Sequence, residues 1–373
     1  MRKIARFIVT HFAALIGLFA IGGAGIPGVS TQLKPSSETI PTSPPGRRTV
    51  VYPMRTMGTY ANVNLVTADS AASAPNAQRA HANFARVDSL MSNWTTTSEV
   101  ARLNRGGGSG ATPVHPEVAV VLDEAIRVWR ESDGAQDITV EPLVRLWGFL
   151  GGPRRVPSPS EVDSVFPRIG SQHLAFDRSS RTLRYEKRGV QIDLGGIAKG
   201  HAVDAAAETL DALGVRDALV DLSGNMFALG SPPSSKPWRI GIRDPRDRIA
   251  YFARLQLFSR QAIATSGKYE QFVAADGETY GHIMDPRTGR PAAGLISVTV
   301  IAPSAMAADA WDTGLFVLGA DAAKRKALAH PELEVVLVEP GRDGIDTVWV
   351  ERSLEDRFSL EADARALFRV EYF

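Results

Sequence analysis

Val190-Gln191-Ile192-Asp193-Leu194-Gly195-Gly196-Ile197-Ala198-Lys199-Gly200 runs a short apolar strand into a double glycine and out again into a helix that begins near Ile197. Gly195 and Gly196 lack a Cβ, so the chain can turn sharply there and a ligand can approach the main chain. The first N–H groups of the following helix face whatever lies beyond the turn, and Lys199 adds a mobile positive charge. The stretch therefore reads as a cradle for phosphate, with plain scaffolding of the same strand-turn-helix form as the competing reading. Asp193, at the strand end, suits a hydrogen bond to a ribose or base, or a divalent ion.

Outward from this stretch, strands and helices mix without strict alternation, which predicts an α+β fold with mixed and antiparallel sheets rather than a doubly wound one. Residues rich in β-branched and aromatic side chains predict strands at 49–53, 59–66, 182–186, 190–193, 217–222, 238–243, 253–257, 296–302, 333–338 and 347–351. Apolar periodicity predicts helices at 76–91, 98–104, 116–131, 197–213, 305–318 and 322–329. The Gly-, Pro- and Ser-rich breaks at 105–110, 151–160 and 231–237 are too short to link independent domains. Residues 49–373 thus form one catalytic unit.

Arg2, Lys3 and Arg6 precede an apolar run from Phe7 to Ile26 that ends in small residues, the layout of a secretory signal or an N-terminal membrane anchor over residues 1–28. Residues 29–48 read as a disordered Pro/Ser/Thr-rich tether. The folded part is therefore expected outside the cytoplasm, in the periplasm or on the outer face of the cytoplasmic membrane. The chain has no cysteine, which excludes disulfides, thiolate chemistry and lipid attachment through an N-terminal cysteine. A formal net charge of +1, with no clustering of basic residues beside aromatics, excludes a nucleic-acid footprint.

Three further segments carry chemistry. In Ala307-Ala308-Asp309-Ala310-Trp311-Asp312-Thr313-Gly314, the residues Asp309, Asp312 and Thr313 share one face of an otherwise apolar helix. Carboxylates in such a place need a compensating positive charge, and a hard divalent cation such as Mg²⁺ takes oxygen ligands of this kind. Alternatively Asp309 complements a helix dipole. His282-Ile283-Met284-Asp285-Pro286-Arg287-Thr288-Gly289 contains a tight turn by composition, and His282 is either an acid–base group or a structural hydrogen-bonder. Thr265-Ser266-Gly267 is a hydroxyl-rich corner. Trp94 could stack on a planar ring, or lid the core.

Taken in order, Met57-Gly58-Thr59, Ser98-Glu99-Val100-Ala101-Arg102-Leu103-Asn104, Asp137-Ile138-Thr139-Val140-Glu141-Pro142-Leu143-Val144-Arg145-Leu146-Trp147-Gly148-Phe149, Asp193-Leu194-Gly195-Gly196-Ile197-Ala198-Lys199-Gly200, Thr265-Ser266-Gly267, the His282 segment and the Asp309 segment together resemble the ApbE family of FAD:protein FMN transferases over roughly residues 50–340. The resemblance implies a T-fold-like catalytic domain that binds FAD and Mg²⁺ and moves FMN onto a threonine of an exported acceptor protein, releasing AMP. It implies that the Gly196 carbonyl, Asp309 and Thr313 hold the metal, with Asp312 outside them. It further implies FAD contacts from Met57, Trp94, Asn104, Ala135, Gln136, Asp137, Asp193, Lys199, His282 and Ile283. Lys199 would neutralise charge on the diphosphate, and Asp309 or His282 would accept the proton. Gln136, Glu141 and His201 depart from the family pattern, as does Trp94, where tyrosine is more frequent.

The acceptors that the family modifies carry a Ser/Thr-Gly-Ala-Thr core, and Ser109-Gly110-Ala111-Thr112 matches it with Gly106 in place of the preceding aspartate. A flexible glycine loop is the simpler reading of that stretch. Two other activities share the same motifs: an FAD pyrophosphatase in which water replaces threonine, and an exported flavin-binding protein without catalysis.

Overall fold

The computed structural model describes residues 46–106, 110–247, 249–275, 277–341 and 343–373. The signal or anchor reading and nearly all of the tether fall on residues outside these, as does Ser109. Thr112 lies in a two-residue strand, Thr112–Pro113, paired with Thr182–Tyr185. Among the described residues no helix is long and apolar enough to cross a membrane.

A nine-stranded sheet organises the chain. Its strand order is Arg48–Thr56, Thr59–Thr67, Ala218–Leu222, Asn225–Leu229, Ala262–Gly267, Ser297–Ala302, Glu334–Glu339, Asp346–Val350 and Phe368–Tyr372. Neighbours are antiparallel except the last pair, which is parallel. Both faces of the sheet are covered at its centre, where Glu334–Glu339 carries the unbroken apolar run Val335–Val338. Val335 and Leu337 face one side and Val336 and Val338 the other, as period-2 geometry requires. The first side packs against helices. The second packs against a three-stranded sheet built from Trp238–Arg243, Tyr251–Leu257 and Phe358–Leu360.

The helices are α1 (Ser70–Met91), α2 (Glu99–Gly106), α3 (Pro116–Glu131), α4 (Glu141–Leu146), α5 (Pro159–Val165), α6 (Ala198–Ala212), α7 (Ala305–Leu318) and α8 (Ala320–Ala329). Their ends follow local chemistry. Asp69 caps α1 through the Ala71 and Ala72 N–H groups, Ser158 and Glu161 form a capping box on α5, and Ser304 caps α7. Gly319, at φ 77°, ends α7 in a conformation that glycine adopts without a Cβ clash.

One expected strand is absent. Residues 190–193 pair with no neighbouring strand. The Asn104 side chain takes the place of a ladder: its Oδ1 accepts the Ile192 N–H at 2.8 Å and its Nδ2 donates to the Ile192 carbonyl at 2.9 Å. Asn93 Nδ2 donates to the same carbonyl, and the Asp193 N–H reaches the Ile138 carbonyl at 2.7 Å. Composition signals an extended backbone but not whether strand or side chain satisfies it.

Candidate active site

α6 enters the site at its N-terminal end and α7 along its first three turns. Asp309 and Asp312 are buried on α7, at 3% and 1% exposure, which obliges their oxygens to find partners. Asp309 Oδ2 accepts the Gly200 N–H at 2.9 Å. Asp309 Oδ1 accepts from Asn225 Nδ2 at 3.2 Å and from the Lys199 ammonium at 3.4 Å. Lys199 also donates to the Gly195 carbonyl at 2.8 Å, bridging the turn to α7. Asp312 Oδ1 accepts the hydroxyls of Ser266, at 2.9 Å, and Thr313, at 3.2 Å. Gly196 adjoins the same group, because a Cβ built on it would stand 3.2 Å from Thr313 Oγ1. The fold therefore gathers Gly196, Lys199, Asp309 and Thr313 at one place.

The charges there do not balance. Burial, then the neighbouring Asp309, pushes the Asp312 carboxyl well above the usual carboxylate range, against the hydroxyls and Lys199. Burial pulls on the Lys199 ammonium as well, but Asp309 and Asp312 outweigh it and hold its pKa above the ordinary lysine value. Burial also raises Asp193, whose Oδ1 accepts the Gly195 N–H at 2.8 Å. One ammonium thus faces several carboxyl groups. The donor set is entirely oxygen and, among the described residues, includes no group of three His, Cys, Asp or Glu side chains suited to a metal. The Asp309 carboxylate and the Thr313 hydroxyl, with Asp312 behind them and Gly196 beside them, are an oxygen set of the kind Mg²⁺ takes, since it completes its shell from water and phosphate rather than from a full protein cage.

The turn spends part of its own donors. Three of the amides after Gly195 are spent within the fold: the Ile197 and Ala198 N–H groups close onto the Leu194 carbonyl, and the Gly200 N–H is taken by Asp309.

The other expected residues occupy distinct positions. His282 sits beside Phe149, ring centroids 6.3 Å apart, and its Nδ1 is buried without a partner. Burial, aided by Lys199, lowers its pKa to about 4, so the imidazole is neutral at pH 7. Ile283 is buried beside it. Ala135 and Gln136 are buried, and a Cβ at Gly314 would stand 3.2 Å from Gln136 Cβ, which places this wall against α7 just after Thr313. Gln136 Oε1 has no partner. Asp137, by contrast, is consumed: its carboxylate accepts from Thr139 N and Oγ1 and from Ser171 N and Oγ. Asn104 is likewise spent on Ile192. Both hold the walls of the site rather than present free polar atoms to it. Trp94 is 69% exposed on the turn beside Asn93. Met57 and Gly58, at φ 47° and 71°, form the tip of the first hairpin. Thr59 Oγ1 ties that hairpin to Ser223 Oγ at 3.0 Å, next to the tip that delivers Asn225 to Asp309.

A model of the ApbE family matches residues 57–337. The chain belongs to the ApbE family. It is 34% identical over 317 residues to the FAD:protein FMN transferase of Salmonella typhimurium, covering 83% of this chain and 89% of that protein. It superposes on the flavin transferase ApbE of Vibrio cholerae with a TM-score of 0.75 at 32% identity, covering 83% of this chain and 99% of the other. The apo flavinyl transferase ApbE of Pseudomonas stutzeri gives a TM-score of 0.75 at 30% identity, covering 85% and 98%. An ApbE transferase fold is thus shared along almost the whole described chain.

Within this ApbE site, sequence reasoning passed over Asn225 and Gly200. Ser223-Gly224-Asn225 carries a turn signal, yet nothing local tells that its third residue reaches Asp309 from 84 positions away. His282 supports a pH prediction. The unfolded chain protonates this residue near 6.5 and the folded chain near 4, so stability is intact above pH 6.5 and falls as pH drops toward 4. His282→Gln is expected to flatten that acid limb in urea titrations between pH 4 and 7. An unchanged slope would count against a buried neutral imidazole.

Proposed function

We propose that this chain is an exported, Mg²⁺-dependent transferase that moves the FMN half of FAD onto a threonine hydroxyl of an exported acceptor protein and releases AMP. The observation that carries the reading is the meeting of Lys199 and Gly196 with Asp309, Asp312 and Thr313 across the α6–α7 contact. The Gly196 carbonyl, Asp309 and Thr313 would hold Mg²⁺, with Asp312 oriented by Ser266 behind them. Bound there, the ion would neutralise charge building on the phosphates. Lys199 binds the diphosphate and offsets the same charge without covalent participation. The threonine oxygen attacks the FMN phosphorus, the bond to the AMP phosphate breaks, and the hydroxyl proton passes to a base. Asp309 and His282 are the two bases in this reading: His282 Nδ1 has no partner but a pKa of about 4, and Asp309 is bound by Gly200, Asn225 and Lys199.

Met57, Trp94, Ala135, Gln136, Asp193 and Ile283 are the remaining FAD contacts in this reading, with Asn104 and Asp137 holding the walls. The acceptor carries a Ser/Thr-Gly-Ala-Thr segment, and residues 1–28 direct the enzyme to the periplasm or, with 7–26 as an anchor, to the outer face of the cytoplasmic membrane. Met57 gives a separable test. Its positive φ strains a non-glycine residue, so Met57→Gly is expected to raise stability by about 1 kcal/mol while weakening FAD binding several-fold. Thermal melts and flavin fluorescence titrations read the two effects, and unchanged FAD affinity would remove Met57 from the pocket.

The function is tested by incubating the enzyme with FAD, Mg²⁺ and a candidate acceptor, then reading in-gel flavin fluorescence and the acceptor mass. An FMN adduct on threonine is the expected result. Release of FMN and AMP with an unmodified acceptor would instead mark a pyrophosphatase, and intact FAD a binding protein.

A further inference from the structure

We infer that Asp204 is a positioning residue that sets the register of α7, and with it the placement of Asp309, Asp312 and Thr313, against the N-terminal end of α6. Gly200 and Asp204 lie four residues apart and so share one face of α6. Both meet α7. Gly200 donates its N–H to Asp309, and the Asp204 carboxylate accepts the Ala305 N–H through Oδ1 at 2.7 Å and the Met306 N–H through Oδ2 at 2.8 Å. These are the first two amides of α7, and Ser304 takes the third, Ala307 N–H, at 3.1 Å. The opening donors of α7 are thus divided between its own cap and a carboxylate 101 residues away.

The division matters because a helix rises about 1.5 Å and turns about 100° per residue. A slip of one residue at Ala305 would carry Asp309 off Gly200 N–H and Thr313 away from Gly196. Ser304 cannot prevent such a slip, since it moves with α7. Asp204 can, since it belongs to the helix that carries Lys199 and Gly200. Its setting gives the carboxylate little other support. Burial raises it to about 7, against the Met306 and Ala305 N–H groups, and the titratable groups that act on it, Glu208 on α6 and Asp309 on α7, add to the rise. Two peptide N–H groups at the start of α7 are what hold it.

The inference rests on reading Asp309 and Thr313 as the metal-holding residues, and its test separates the two. Asp204→Ala, Asp204→Asn and Asp204→Glu are compared with wild type in the full-length protein by Mg²⁺ calorimetry without FAD, by thermal melts and by transfer kinetics. Misplacement by about an ångström lowers rates roughly a hundredfold, so Asp204→Ala should lose at least tenfold in kcat and in Mg²⁺ affinity with the KM for FAD nearly unchanged. Asp204→Asn, which keeps one acceptor oxygen, should fall between and serves if the alanine variant does not fold. Asp204→Glu should recover the melting temperature by restoring the cap but not kcat, because the added methylene displaces α7. Wild-type kcat and Mg²⁺ affinity in Asp204→Ala despite a lowered melting temperature would overturn the inference, as would a fully active Asp204→Glu. If the wild type itself takes up no Mg²⁺, the metal reading fails, and the split between kcat and KM decides the role of Asp204 alone.

Discussion

Asp309→Ala is expected to lower flavin transfer by about a thousandfold or more, the scale on which removing one electrostatic stabiliser acts. The variant deletes one of the two buried carboxylates on α7 and strands the Gly200 N–H, the Asn225 amide and the Lys199 ammonium that converge on it. Asp309→Asn separates the contributions. It keeps an acceptor for Gly200 while removing the charge, so it should fold like wild type and still lose Mg²⁺-dependent transfer. Covalent flavin on an acceptor, read by fluorescence after denaturing electrophoresis, measures both. Turnover at the wild-type level in Asp309→Ala would end the assignment of this residue to metal or phosphate chemistry.

Gly200→Ala is expected to damage both fold and activity through a single methyl group. A Cβ at this position would stand 2.1 Å from the Ala305 carbonyl oxygen and 2.5 Å from its carbon, both main-chain atoms that no rotamer change can move. The helices must separate to admit it, at a cost of about 3 kcal/mol. Separation also breaks the Gly200 N–H bond to Asp309 and withdraws α7 from Lys199. A marked fall in melting temperature together with loss of transfer is the expected outcome. A variant as stable and active as wild type would mean that α6 and α7 do not approach as closely as described.

These two positions differ in how visible they were beforehand. Asp309 stood out because a carboxylate on an apolar helix demands an explanation from local chemistry. Gly200 did not, because a glycine inside a helix signals close approach without naming the partner. The same divide runs through the fold. Helices α3 and α7 coincide with their expected spans, since proline at N1, a Ser304 cap and unbroken periodicity act within a few residues. Residues 190–193 looked like a strand and are not one, since their partners are the Asn93 and Asn104 side chains. Strand Asn225–Leu229 escaped notice because its pairing depends on neighbours across the sheet.

Local pattern and the order of short motifs sufficed for the α+β class, the ApbE resemblance and the membership of the acidic stripe, because each depends on interactions over a handful of residues. Folding was needed to show that the Ile197, Ala198 and Gly200 amides are spent on Leu194 and Asp309, that Asp137 and Asn104 are consumed by the walls, and that Asp204 and Asn225 reach α7. Hydrogen bonds in a buried site are allotted among groups distant along the chain, and each donor or acceptor can be spent only where packing brings a partner within about 3 Å.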